Sequence, residues 1–370
     1  MTNDTPMPAR AIPRIGSVAV LMSAMISAHA HADIQFQLSP RAVGGGHSEG
    51  VALADLNGDG YIDAFIAQAN APNEVWFGSG NGHFDNSNQA LGNAYSRGVA
   101  LADFDGDSDI DAFVANYGSH STVWLNDGRG KFSNSGLELG VGVISWDVDV
   151  GDVDGDGDVD AVVANHAGSN DVWLNDGAGG FQRAAAGVGD SDSWDVVLAD
   201  LDGDGDLDIY EGNHGQPNYV WRNDGKGEFT DTGLRLGEYY TWGVVIADFN
   251  GDGYPDAFDA NWSNGPNQVW FNDGKGGFRD STLKLGRADS EAGAAADFDA
   301  DGDVDVFVAN SAADGNRLWL NDGRGHFSDG ALPLGKADSK DIVAHDFDAD
   351  GDADVLVVND GENQIWLNTR

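Results

Sequence analysis

Residues 152–160 read Asp152-Val153-Asp154-Gly155-Asp156-Gly157-Asp158-Val159-Asp160, five carboxylates in nine residues with glycines between them. Held that close without a counter-ion, each pair would repel by about 1 kcal/mol even at water-like screening. A hard divalent cation removes the conflict. Calcium takes six to eight oxygen ligands, and an alternating Asp-x-Asp-x-Asp loop with a glycine turn can wrap one. The segment recurs from Asp55, Asp103, Asp152, Asp200, Asp248, Asp297 and Asp346, at steps of 48, 49, 48, 48, 49 and 49 residues.

The rest of the period reads as strands. In the third copy, 145–150 alternates before the acidic loop and 161–165 follows it. Residues 171–174 precede the turn Asn175-Asp176-Gly177, and a run holding Phe181 ends at Val188-Gly189. Short β-rich runs parted by Gly, Asp and Asn turns are antiparallel strands, labelled A to D. Four strands in a repeat of roughly 40–50 residues make a propeller blade. Trp76, Trp124, Trp173, Trp221, Trp270, Trp319 and Trp366 share one position of strand C. Phe84, Phe132, Phe181, Phe229, Phe278 and Phe327 share one of strand D. Such rings are expected to fill the spaces between blades.

The expected fold is therefore all-β, a seven-bladed β-propeller of four-stranded antiparallel blades. The last copy stops at 366–370, just after its strand C. Phe36 precedes Ser48 by the interval that separates Phe84 from Ser96. Residues 33–45 are thus expected to supply strand D of blade 7 and to close the ring, leaving no open sheet edge. Blade 1 is then 46–92, blade 2 93–140, blade 3 141–189, blade 4 190–237, blade 5 238–286, blade 6 287–335, and strands A to C of blade 7 fill 336–370, all one domain over 33–370.

Composition narrows the class. The 370 residues carry a formal net charge of −43, which repels nucleic acid and anionic membranes. Hydrophobic residues at 41% and aromatic ones at 10% speak for a folded chain despite that charge. Cysteine is absent, so rigidity must come from elsewhere, and bound calcium would supply it. Residues 1–32 read as a secretory signal peptide: Arg10 and Arg14, a short apolar run over 15–26, and small residues ending at Ala32. The mature chain is expected to be secreted (periplasmic, extracellular or at the cell surface) and to have no membrane span.

The Asp-x-Asp-Gly-Asp-Gly-x-x-Asp loops and the Trp-Leu-Asn-Asp-Gly-x-Gly-x-Phe hairpins resemble the FG-GAP/VCBS-type repeats of integrin-α-like propellers. The resemblance implies up to seven calcium ions, one per blade, and a fold that hosts adhesion proteins, lectins and accessory domains of enzymes. It places side-chain ligands at loop positions 1, 3, 5 and 9 and a backbone carbonyl at position 7. Those residues are Asp55, Asn57, Asp59, Tyr61 and Asp63 in the first loop, and Asp103, Asp105, Asp107, Asp109 and Asp111 in the second. The third has Asp152, Asp154, Asp156, Asp158 and Asp160, and the fourth Asp200, Asp202, Asp204, Asp206 and Asp208. The fifth has Asp248, Asn250, Asp252, Tyr254 and Asp256, the sixth Asp297, Asp299, Asp301, Asp303 and Asp305, and the seventh Asp346, Asp348, Asp350, Asp352 and Asp354. Asn57 and Asn250 lower the charge of two loops and are expected to weaken them. Ser108 stands where the other loops have glycine at position 6, so distortion is expected there.

The opposite face varies between copies. Just before strand A stand Glu49, Arg97, Trp146, Trp194, Trp242, Glu291 and Lys340. Arg97, Tyr117, Trp146, His166, Trp194, His214, Trp242 and Trp262 all map there, in blades 2 to 5. Exposed aromatic faces beside polar tips suit a ligand, either a glycan or a protein; the alternative reading is that the tryptophans plug the mouth of the central channel. The favoured function is a calcium-binding binding or adhesion module. The competing one is a polysaccharide lyase or hydrolase using His166, His214 or Arg97 in the same hollow. Gly46-His47-Ser48-Glu49-Gly50 matches a hydrolase elbow, but no strand-to-helix turn follows. No catalytic residue is assigned.

Overall fold

The computed structural model describes residues 34–140, 142–311, 315–332 and 334–370; the signal-peptide reading of 1–32 lies outside them. Every element among the described residues is a β-strand, and every strand pairing is antiparallel. No helix among them is long and apolar enough to cross a membrane.

Copies 2, 4, 5 and 6 each fold into a separate four-stranded sheet in the order A-B-C-D. In copy 4 these strands are Ser193–Ala199, Asp208–Asn213, Tyr219–Asn223 and Phe229–Asp231. Copy 3 adds a short fifth strand, Val188–Ser191, beside its strand C. Copies 1 and 7 share one eight-stranded sheet, joined where Gly45, Gly46 and His47 pair with Glu362, Gly361 and Asp360. In that sheet Phe36–Leu38 lies antiparallel beside Gln364–Asn368.

Burial explains the strand patterns. Strand B is covered on both sides by neighbouring sheets, so Asp111–Asn116 is buried throughout, with an apolar run over residues 112–115 between its polar ends. Strand D is only three residues long and largely exposed, a short edge that discourages pairing with other chains. Its phenylalanine turns inward to meet the strand-B ring of the preceding copy. Phe65–Phe132, Phe113–Phe181, Tyr210–Phe278 and Phe258–Phe327 meet edge to face at 5.5, 5.7, 5.6 and 6.3 Å. Phe36 makes the same contact with Phe307 at 5.7 Å.

Strand A carries a register shift at one place in every copy, flanking Glu49, Arg97, Trp146, Trp194, Trp242, Glu291 and Lys340. These residues therefore lie inside strand A, not before it. Each is the extra residue of a β-bulge, which leaves the ladder and re-aims its side chain. All seven line a single open cavity of about 60 Å³.

Candidate functional site

The acidic loops are built from their ninth residue. Asp63, Asp111, Asp160, Asp208, Asp256, Asp305 and Asp354 are all buried. One oxygen of each accepts the N–H of loop position 2, as Val153 N donates to Asp160 Oδ2 at 2.9 Å. The other accepts a strand-C N–H, as Asn175 N donates to Asp160 Oδ1 at 2.8 Å. Position 1 accepts the N–H of position 6, as in Gly157 to Asp152 at 3.0 Å. Position 5 accepts that of position 7, as in Asp158 to Asp156 at 2.9 Å. Each carboxylate is thus held by backbone donors, with lone pairs to spare.

In the second, third, fourth, sixth and seventh loops the carboxylates of positions 1, 3 and 9 offer oxygens within 4.8 Å of one another. Two position-3 oxygens, Asp105 Oδ1 and Asp348 Oδ1, are buried without a hydrogen-bond partner. An all-oxygen, all-anionic set of this kind fits a hard divalent cation. The protein alone tolerates it poorly. Burial, aided by the neighbouring carboxylates, pushes Asp63, Asp111, Asp160, Asp256 and Asp354 up to about 7, against the lowering effect of the two backbone donors. The same causes take Asp208 to about 6 and Asp305 to about 8.

The loops differ in detail. Ser108 adopts φ 74° and keeps its N–H bond to Asp103 at 2.9 Å, so the second loop has the shape of the others. The distortion expected there is absent, because a left-handed serine costs only about 1–2 kcal/mol. Ala300 and Ala349 carry the same strain at position 4, with φ 54° and 60°. In the fifth loop Asn250 Nδ2 donates to Asp256 Oδ2 at 3.0 Å. In the fourth, Arg222 Nε already lies 2.5 Å from Asp202 Oδ2. Tyr61 and Tyr254, expected to give carbonyls, have exposed rings.

The loops also join neighbouring sheets. The strand-C asparagine donates from Nδ2 to the position-2 carbonyl of the preceding copy, as Asn175 does to Phe104 at 3.0 Å. Asn126, Asn223, Asn272, Asn321 and Asn368 do the same. Copy 1 has Gly78 at this position, and the bond across to copy 7 comes instead from Gly82 N to Phe347 O at 2.7 Å.

At the other end, the expected ligand-face residues do come together. The strand-B ends and the D-to-A crossings are tied by backbone bonds such as Tyr117 to Tyr95, His166 to Ile144 and His214 to Asp192. Asn116, Asn165, Asn213, Asn261, Asn310 and Asn359 are buried and bonded to a strand-A hydroxyl and to loop carbonyls, which fixes this edge. Arg97 lies over Trp146 at 4.0 Å and bonds Glu49 at 2.8 Å. Trp146 stacks on Trp194 at 4.9 Å, and Trp194 on His214 at 4.0 Å. Trp242 meets Trp194 at 4.0 Å and Trp262 at 5.6 Å, while Tyr117 meets Trp146 at 5.7 Å.

The expectation of flat exposed indoles needs correction. Trp194 is only 8% exposed, and Trp146, Trp242 and Trp262 are half-buried. The bulges turn the three strand-A indoles inward, where they pack on one another. Tyr117 and Tyr240 are the exposed rings of the cluster. Three polar members escaped the sequence reading. Asp192 contacts His166 Nδ1 and lies 3.2 Å from His214 Nδ1, so one carboxylate orients two imidazoles. Tyr95 OH bonds Glu49, and Tyr240 packs on His214 at 4.7 Å. All three stand directly before the strand-A hydroxyl residue (Ser96, Ser193 and Thr241), a position that recurs in every copy but changes residue type, so the period carries no signal of its chemistry. Ser48 is buried and accepts amide protons from Gln68 and Asn363, each at 3.0 Å, a structural role rather than a nucleophilic one.

The fold is similar to that of BBS1N in its crystal structure in complex with ARL6DN, soaked with mercury, with a TM-score of 0.61 and 16% identity over 92% of this chain and 98% of that one. The same complex soaked with lead gives 0.61 and 15% identity, with the same coverage of both chains. YCF48 bound to D1 peptide gives 0.57 and 11% identity over 93% of this chain and 100% of that one. These are β-propellers. No curated protein sequence matches the chain. The model of the FG-GAP-like repeat matches five times, over residues 55–114, 103–163, 152–211, 212–258 and 297–357, and the chain belongs to the FG-GAP-like repeat β-propeller family.

Proposed function

We propose that this protein is a secreted, calcium-stabilised propeller of seven blades that binds a protein ligand through the face opposite its acidic loops. The pairing of Phe36–Leu38 with Gln364–Asn368, the Phe36–Phe307 contact and the Gly82–Phe347 bond all favour a closed ring in which residues 33–45 complete blade 7. Positions 1, 3, 5 and 9 of the loops would hold the ions, with the position-7 carbonyl completing each set. Bound calcium would supply positive charge at the place where buried carboxylates crowd. The loops' own residues hold those carboxylates in place and clasp the adjoining blade. Export is supported by the signal-like 1–32 segment.

The observation that carries the binding reading is the convergence of Arg97, Tyr117, Trp146, His166, Trp194, His214, Trp242 and Trp262 into one continuous cluster at the mouth of the channel. A rim of exposed Tyr117 and Tyr240 around a buried aromatic centre suits a protein partner. BBS1N and YCF48 are themselves bound to ARL6DN and to D1 peptide. Peptides selected from a random display library on the calcium-loaded protein test the reading. The Tyr117→Ala/Tyr240→Ala double variant, still folded, should lose about tenfold in affinity, the equivalent of 1.4 kcal/mol. Unchanged affinity would place the ligand elsewhere.

A second reading rests on Asp192, which orients His166 and His214 as a general base is oriented. It makes the protein a polysaccharide-active enzyme. Cleavage of any of a panel of polysaccharides, lost in His214→Ala, would favour it.

A further inference from the structure

The cavity ringed by the seven bulge residues holds an unbalanced set of polar atoms. Trp146 Nε1, Trp194 Nε1, Arg97 Nε and Glu291 Oε2 all belong to residues that line it, are buried, and have no hydrogen-bond partner. Leaving such atoms unpaired costs about 1–3 kcal/mol each. Three are donors, from copies 2 to 4, and one is an acceptor, from copy 6. Trp194 is 8% exposed and Glu291 3%.

Charge and size restrict what pairs with them. An inserted cation would suit the carboxylates of the lining, of which Asp195 and Asp341 already accept backbone N–H groups and Glu291 has Lys340 Nζ at 3.6 Å, and would leave three donors orphaned. An inserted carboxylate would serve the donors but stand among Glu49, Asp147, Asp195, Glu291 and Asp341. A group with an acceptor at one end and a donor at the other serves both walls. The cavity, about 60 Å³, has room for a few groups the size of a water molecule. That accommodates a primary amide head.

We propose that the channel mouth is a subsite for the side-chain amide of an Asn or Gln on a loop of the protein partner. Its carbonyl oxygen accepts from Trp146 and Trp194, and its NH₂ group donates to Glu291. This inference rests on the reading of the face as a protein-binding surface and names the group recognised at its centre.

Acetamide is the probe. In the calcium-loaded, ¹⁵N-labelled protein, titrated acetamide should shift two tryptophan indole N–H signals saturably. Trp146→Phe and Trp194→Phe, which keep a ring and remove the N–H, identify those signals, and each should weaken acetamide binding by about fivefold, as loss of one hydrogen bond of about 1 kcal/mol implies. Acetate and methylammonium should bind at least about tenfold more weakly, a gap of 1.4 kcal/mol. Absence of a saturable shift would mean that water alone serves these atoms and would overturn the subsite, as would an equal response to acetate or methylammonium. The wild-type titration decides this even where a variant does not fold. Selected peptides that bind without an acetamide response would sink the subsite and spare the face. Acetamide binding with no peptide selected would sustain the subsite's chemistry and remove the protein partner.

Discussion

The acidic edge and the bulge ring repeat with the same period and use it in opposite ways. At the acidic edge, position 9 is aspartate seven times, buried seven times, and bonded to the same two backbone donors. At the bulge ring, the seven equivalent positions hold Glu49, Arg97, three tryptophans, Glu291 and Lys340. A position whose chemistry serves only its own sheet and the next can be identical in every copy. A position that points into a shared cavity cannot, because seven equal charges or seven indoles would not fit together there. The ring instead divides into an aromatic arc, Trp146, Trp194 and Trp242, and an arc of alternating charge in which Lys340 meets Glu291 at 3.6 Å and Arg97 meets Glu49 at 2.8 Å. Repetition marks what holds the molecule together, and departure from repetition marks where it can recognise something.

That contrast can be broken by mutation. Asp160→Ala strips partners from the buried N–H groups of Val153 and Asn175. At about 1–3 kcal/mol for each orphaned donor, a loss of about 4 kcal/mol in calcium-free denaturant unfolding is expected. Asn175→Ala removes the side-chain bonds to Phe104 and Val159, at 3.0 and 3.1 Å, and the longer one accepted from Gly177 N at 3.3 Å, and should cost about 2 kcal/mol. Ala349→Gly relieves a left-handed alanine, worth about 1–2 kcal/mol, against the extra freedom of unfolded glycine, about 0.4–1 kcal/mol. A net gain of about 0.5 kcal/mol should appear in the same unfolding curves. Tyr117→Ala, on the exposed rim, should move stability by no more than about 0.5 kcal/mol. A rim variant as damaging as Asp160→Ala would erase the distinction between the two ends.

Most of the acidic edge was legible before any coordinates. Spacing alone identified the loops, the strand order and the inward tryptophan and phenylalanine registers, because each recurs at a fixed distance from Asp152 and its counterparts. The aromatic face was legible as a set of residues but not as a shape. A β-bulge adds one residue without changing the composition around it, so Trp146, Trp194 and Trp242 read as preceding strand A when they lie within it. Their burial follows from the bulges, which turn them inward. Asp192 occupies a position that is His47, Tyr95, Ile144 or Tyr240 in other copies, so the period does not mark its role, and only the fold brings it between His166 and His214.

The central claim is that the carboxylates are tolerable because a cation joins them, and melting temperature against pH, in calcium and in EGTA, tests it directly. Without a cation, Asp63, Asp111, Asp160, Asp256 and Asp354 sit near 7 in the folded state, against 3.8 as the ordinary value. The folded chain then binds more protons than the unfolded one, so stability falls as pH rises from about 4 to about 7. In EGTA the melting temperature should drop across that range. In calcium the decline should flatten, and the gap between the two curves should widen to several degrees or more by pH 8. Superimposed curves at pH 8 would contradict the account.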